Sequence, residues 1–145
     1  MEDLNAAIEE SKTWPDDRKG DRESIAKCLN NAAGSLKEAI TVWKDIIDNP
    51  TPQDEYGLSA MTLVGGERSR KLHAIGLDTI SSKREIFKII GGKVEYFSGL
   101  QDSLVEDAYP ELKSGQSISE RANEAVENME KRIGVLEGLA KNVAA

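Results

Sequence analysis

Apolar residues recur at three- and four-residue spacings over most of this chain, which is the signature of amphipathic helices. The first clear stripe is Ile25, Leu29, Ala32, Leu36, Ile40, Trp43 and Ile47. It predicts a helix over residues 21–48, with Asp21 as its cap and Glu23 favouring its first turn. Asn49-Pro50-Thr51-Pro52 stops that helix. Leu58, Met61, Leu72 and Ile75, with Thr79 at the end, predict a second helix over 58–80. The segment 76–82 is ambiguous: the helix either breaks there or bends and continues. Ser81 and Ser82 are candidate caps for a new helix, and Ser82 with Glu85 three residues on reads as a capping box. Ile86, Ile90, Val94, Phe97, Leu100 and Leu104 then predict a third helix over 83–107, stopped by Tyr109-Pro110. Ala122, Ala125, Met129, Ile133, Leu136, Ala140 and Val143 predict a fourth over 119–143. It has a polar start at Ser119, Ile118 as a staple, and Glu120, Glu124, Glu127 and Glu130 along its other side.

Residues 1–20 read as an N-terminal arm. Leu4, Ala7 and Ile8 suit one short amphipathic helix, and Trp14-Pro15 ends it because a residue before proline is pushed out of the helical region. Residues 16–21 read as a charged loop. Residues 21–145 then form the helix-bundle domain. Each of the four helices has one stripe to bury, and short loops make successive helices antiparallel. The expected fold is therefore all-α: an antiparallel up-down four-helix bundle with a short N-terminal helical arm. The rival is a long bent rod made of helices two and three, giving a three-helix unit that dimerises. No stretch shows the period-two alternation of a strand.

The 145 residues are enough for one core without a metal or disulfide staple. With 26 acidic against 19 basic residues, the net charge is -7. That sign argues against duplex nucleic acid or an anionic membrane as partner, since both need a positive field. Cys28 is the single cysteine, which excludes an intramolecular disulfide and suits a reducing compartment. No apolar run is long enough to span a bilayer, and the first residues do not form a secretory signal. A cytoplasmic protein of bacterial or phage origin is the expectation.

Candidate chemistry is sparse. Helix-interior glycines (Gly34, the pairs Gly65-Gly66 and Gly91-Gly92, Gly134 and Gly138) either open space for a partner or mark close helix approach, kinks or tolerated positions. Neither pair lies in a phosphate-loop pattern. Arg68 falls on the apolar stripe between Met61 and Leu72, so it is paired there, reaches a cavity, marks a binding face, or snorkels to the rim. Arg68, Arg70, Lys71 and His73 form the densest basic cluster in an acidic chain. That cluster is either a contact patch for an acidic partner or a solvated face. His73 is the only histidine. Metal sites in bundles call for Glu-x-x-His pairs, so neither a metal nor another cofactor is expected. Cys28 reads as a small buried hydrophobe, and Trp43 as core. Trp14 either pins the arm to the bundle or inserts into a partner.

The run Arg68-Ser69-Arg70-Lys71-Leu72-His73 resembles the Arg-x4-6-His motif of HEPN-type ribonucleases, which are small helical proteins and usually dimeric. Ser69 stands where that family prefers Asn, Asp or His. The resemblance implies a metal-independent ribonuclease in which Arg68 stabilises phosphate charge and His73 moves a proton. A lone histidine on a four-helix bundle also resembles a histidine phosphotransfer domain. There a Lys-Gly step follows the histidine, and here Ala74-Ile75-Gly76 lacks the lysine.

The leading expectation is a non-enzymatic helical interaction module: a small adaptor, inhibitor or regulator with a protein partner, working through a bundle face, either alone or as a homodimer. Arg68, Arg70, Lys71 and His73 would be its contact patch and Trp14 a second contact. The alternative is the HEPN-like ribonuclease using Arg68 and His73, the one case in which RNA is a partner.

Overall fold

The structure, a computed structural model, describes residues 9, 11–49, 67–90 and 117–144, apart from the side chains of residues 69, 90 and 118. Among them there are three long helices and no strand: α1 (Lys19–Asp48), α2 (Glu67–Ile90) and α3 (Ile118–Ala144). Several expectations lie outside the described residues. These are the arm helix through Leu4, Ala7 and Ile8, helix two over 58–66, the Gly65-Gly66 and Gly91-Gly92 pairs, helix three beyond residue 90, and the loop at Tyr109-Pro110.

α1 is the central element. Both α2 and α3 pack along it rather than extensively on one another. Arg18, just before α1, reaches Ile89 at the end of α2, while Asp45 near the end of α1 pairs with Arg68 at the start of α2. α2 is therefore antiparallel to α1. α3 is antiparallel to α1 as well, since its early Arg121 faces Trp43 and its later Glu137 pairs with Lys37 at 3.2 Å.

A seam with alternating four- and three-residue steps explains how one helix holds two partners. Ile25, Leu29, Ala32, Leu36, Ala39, Trp43 and Ile46 are buried in step, and Ala26 and Ala33 widen the buried face. Ala39 and Ile46 take the places expected for Ile40 and Ile47, which lie half-buried on its flank. A strict three-four alternation keeps one line of side chains on the same side of a helix packed at a shallow crossing angle. The alanines let the neighbouring helices come near without a large side chain between them. All seven positions expected to be buried in the last helix are buried in α3, and Leu139 joins them.

Two local expectations, at the starts of α1 and α3, are corrected, and the alternative left open at 76–82 is decided. α1 begins at Lys19 rather than at 21, entered through a 3-10 turn over Asp16–Arg18 that replaces the expected loop. Asp16 and Asp17 sit at the positive end of that turn, where carboxylates are favoured. The N-cap residue is Arg18, so Asp21 does not cap; it accepts a hydrogen bond from Arg18 Nε at 2.9 Å. α2 runs unbroken through 76–82, and so Ser81 and Ser82 lie inside a helix and start none. The buried positions Leu72, Ile75, Thr79 and Ile86 stay in register across the serines, which removes any reason for a break. Thr79 Oγ1 donates to the carbonyl of Gly76 at 2.7 Å, so the buried hydroxyl is satisfied within the helix. α3 starts one residue before Ser119. Its cap is Ser117, whose Oγ accepts from the Glu120 N–H at 3.1 Å.

Candidate functional site

The expected patch lies on the first turns of α2, beside the end of α1. Arg68 does not sit unpaired in the apolar seam. Its Nη2 pairs with Asp45 at 2.9 Å, and its Nη1 donates to the Asn49 carbonyl at 2.6 Å. Asn49 is the C-cap of α1, and the last carbonyls of a helix have no partner within it. A guanidinium at that negative end satisfies one of them and complements the helix dipole. Arg68 thus joins two helix ends, and its placement is the paired, rim-reaching one of the options the sequence left open.

Next to this junction is a shallow open depression of about 400 Å³, lined by Val42, Lys44, Asp45 and Asp48 of α1 with Arg68 and Lys71 of α2. Both signs of charge meet there. Arg68 and Asp45 hold each other, while Lys44, Lys71 and Asp48 stand exposed around them. Arg70 is also exposed, and His73 is half-buried. His73 follows Arg68 by five residues, which turns it about 140° around the helix. The structure therefore brings Arg68 and Lys71 into one depression with Lys44 and sends His73 to another side of α2.

Lys44 was missed by sequence reasoning. A signal did exist: a helix end followed by an antiparallel helix start places Lys44, Asp45 and Asp48 opposite residues 68–71. Arg121 was missed too. It is buried at the start of α3, with its guanidinium 5.8 Å from the centroid of the Trp43 ring, within cation–π range. Nothing in the spacing of Ala122 and Ala125 announces a buried arginine beside them.

Trp14 is at the other end of α1, separated from Asp45 by roughly 40 Å of helix rise. It packs against the core cluster, and the Arg18 guanidinium stacks 3.5 Å from its ring centroid. In this structure Trp14 therefore lies against the bundle. Cys28 is half-buried against the same core. Desolvation is the main reason its thiol pKa is raised, with the charge of Glu85 adding to it, so the thiol stays protonated at neutral pH.

Among the described residues no group of three His, Cys, Asp or Glu side chains comes together as a metal site, and no helix is long and apolar enough to cross a membrane. No known protein family, no curated protein and no solved structure matches this chain.

Proposed function

We propose that this chain is a non-enzymatic protein-interaction module that docks a partner on the mixed-charge face at the junction of α1 and α2. The observation that carries this reading is the depression between Lys44, Asp48 and Lys71, organised around an Arg68–Asp45 pair already fixed in place. A pre-formed rim of both signs favours a charged protein surface over a duplex or a membrane, because specificity then comes from matching each sign in register. The fixed arginine lowers the ordering cost of binding.

The test compares two forms of the full chain as bait in its host extract: the parent and a Lys44→Glu/Lys71→Glu variant with unchanged helicity. Stoichiometric capture of one protein by the parent, lost in the variant, supports the reading. Equal capture by both, or cleavage of RNA by the parent that His73→Ala abolishes, overturns it. The second outcome brings the HEPN-like ribonuclease forward.

The same proposal takes the scaffold to be a complete up-down four-helix bundle. Ile89 of α2 lies beside Arg18 while Arg121 of α3 lies beside Trp43, so the described end of α2 and the start of α3 are at opposite ends of α1, about 37 Å of helix rise apart. Ile80 and Phe87 are buried on α2 yet stand outside the main core cluster, as expected of a face turned to a further helix. The stripe Val94, Phe97, Leu100 and Leu104 fits that helix. Leu100→Asp is then expected to unfold the chain, and a variant with the parent's unfolding midpoint would rule the fourth helix out.

A further inference from the structure

The arm makes more contacts than a pinned tail requires. Arg18 acts in three directions at once. Its ring contact holds Trp14, its Nε donates to Asp21, and its Nη2 donates at 3.1 Å to the carbonyl of Ile89 in the last turn of α2. Ile89 lies in the C-terminal part of α2, where a cation complements the helix dipole. A few residues earlier, Glu9 Oε1 accepts from Asn142 Nδ2 at 3.2 Å, in the last turns of α3, and also pairs with Lys12 at 3.2 Å. Between the two attachments Ser11 is fully buried. Tight turns, from the Trp14 N–H to the Ser11 carbonyl and from the Arg18 N–H to the Pro15 carbonyl, keep the arm compact across this span.

α2 and α3 each pack on α1 and make no comparable interface with each other. The arm touches the C-terminal ends of both. We propose that residues 9 and 11–18 form a strap that ties the ends of α2 and α3 together at one end of the bundle, with Arg18 as its α2 attachment and Glu9 as its α3 attachment. The strap is releasable. The links at its two attachments, Arg18 to Ile89 and Glu9 to Asn142, are each one hydrogen bond, whereas the seam beneath is a continuous apolar core. Release leaves that seam folded and presents the Trp14 ring and the last turn of α2 to solvent or to a partner. It occurs at the end of α1 opposite the mixed-charge depression and does not depend on the function proposed for that face.

Hydrogen exchange of the intact chain, read by mass spectrometry, tests this. Arg18→Met keeps the aliphatic stem and removes the guanidinium. It is expected to raise exchange about tenfold in residues 11–18 and in the last turn of α2, the loss that fits removal of one charge-assisted hydrogen bond. Exchange over 29–43 and 122–136 should stay unchanged. Asn142→Ala is expected to raise exchange in the arm and at the end of α3, and to leave the start of α2 as it was. In a Trp43→Phe background, Trp14 emission should shift to the red in the Arg18→Met variant. A uniform rise along the whole chain would overturn the strap, because Arg18 would then act on global stability alone. No rise at the end of α2 would overturn it equally.

Discussion

Against α1, α3 lays down Ala122, Ala125, Met129, Ile133, Leu136, Ala140 and Val143 as an unbroken apolar line, edged by the exposed Lys37–Glu137 pair. Among the described residues α2 buries Leu72, Ile75 and Ile86 in the same core, with Ile89 packed against it, and is clamped near both ends by arginines on backbone carbonyls, Arg68 on Asn49 and Arg18 on Ile89. One interface depends on burial spread over many positions. The other relies on fewer apolar contacts and on two directional bonds whose loss would be felt locally. The apolar interface is the sturdier, since burial contributes roughly 1.5–3 kcal/mol per large side chain while a net hydrogen bond contributes about 1. The candidate binding face and the strap both belong to the clamped side.

The largest effect tests the apolar side. Trp43 is fully buried in the seam and lies against Arg121 of α3. Trp43→Ala is expected to cost about 3–5 kcal/mol, a large share of the stability of a domain this size. Denaturant unfolding measures it. A cost near 1 kcal/mol would mean that the seam is not where the stability resides.

The clamped side should respond less and more locally. Arg68→Met removes the bond to Asn49 and the pair with Asp45 while keeping much of the stem. The expected loss is about 1 kcal/mol, because the Asp45 carboxylate is half exposed and solvent screens it. Hydrogen exchange should rise in the first turn of α2 and stay level in α3. An equal rise in α3 would erase the distinction between the two interfaces.

How much of this could be read in the chain follows the same division. The α3 stripe was fully legible, because apolar burial follows helical period and nothing competes with it. The end of α1 at Asp48 was legible from Asn49-Pro50. The continuity of α2 was not: Ser81 and Ser82 carry the chemistry of a cap, and only the packed register of Thr79 and Ile86 decides against one. Arg68 was visible as an anomaly on its stripe, yet its partners Asp45 and Asn49 lie about 20 residues away, beyond any local pattern. Arg18 and Lys44 looked like ordinary surface cations, since a clamp or a depression exists only once two helices are set side by side.

Smaller still, and opposite in sign, is the expected effect of the glycines of the α1–α3 pair. A methyl group added at Gly34, Gly134 or Gly138 meets nothing within 4 Å, so close helix approach does not explain them. Each alanine substitution should raise stability by roughly 0.5–1 kcal/mol, through helix propensity and a less flexible unfolded chain. Thermal unfolding of the three single variants and the triple would show it. A fall in midpoint at any one position would mean that the backbone there is more crowded than the apolar pairing implies.

The slightest effect belongs to Glu9. The carboxyl of Glu9 is held below the usual carboxylate range, first by the hydrogen bond from Lys12 and then by that from Asn142. A depressed pKa in the folded state means the contact is complete above the unfolded-state pKa and fades as pH falls through the folded one. The carboxylate is exposed, so global stability should hardly register the change. The side-chain amide signal of Asn142 should report it directly, moving on acidification in the parent and staying flat in Glu9→Gln. If instead the amide does not move while α3 loosens, that end of the bundle is held by Leu139 and Val143 alone. The apolar side would then need no strap, and the arm would serve only α2.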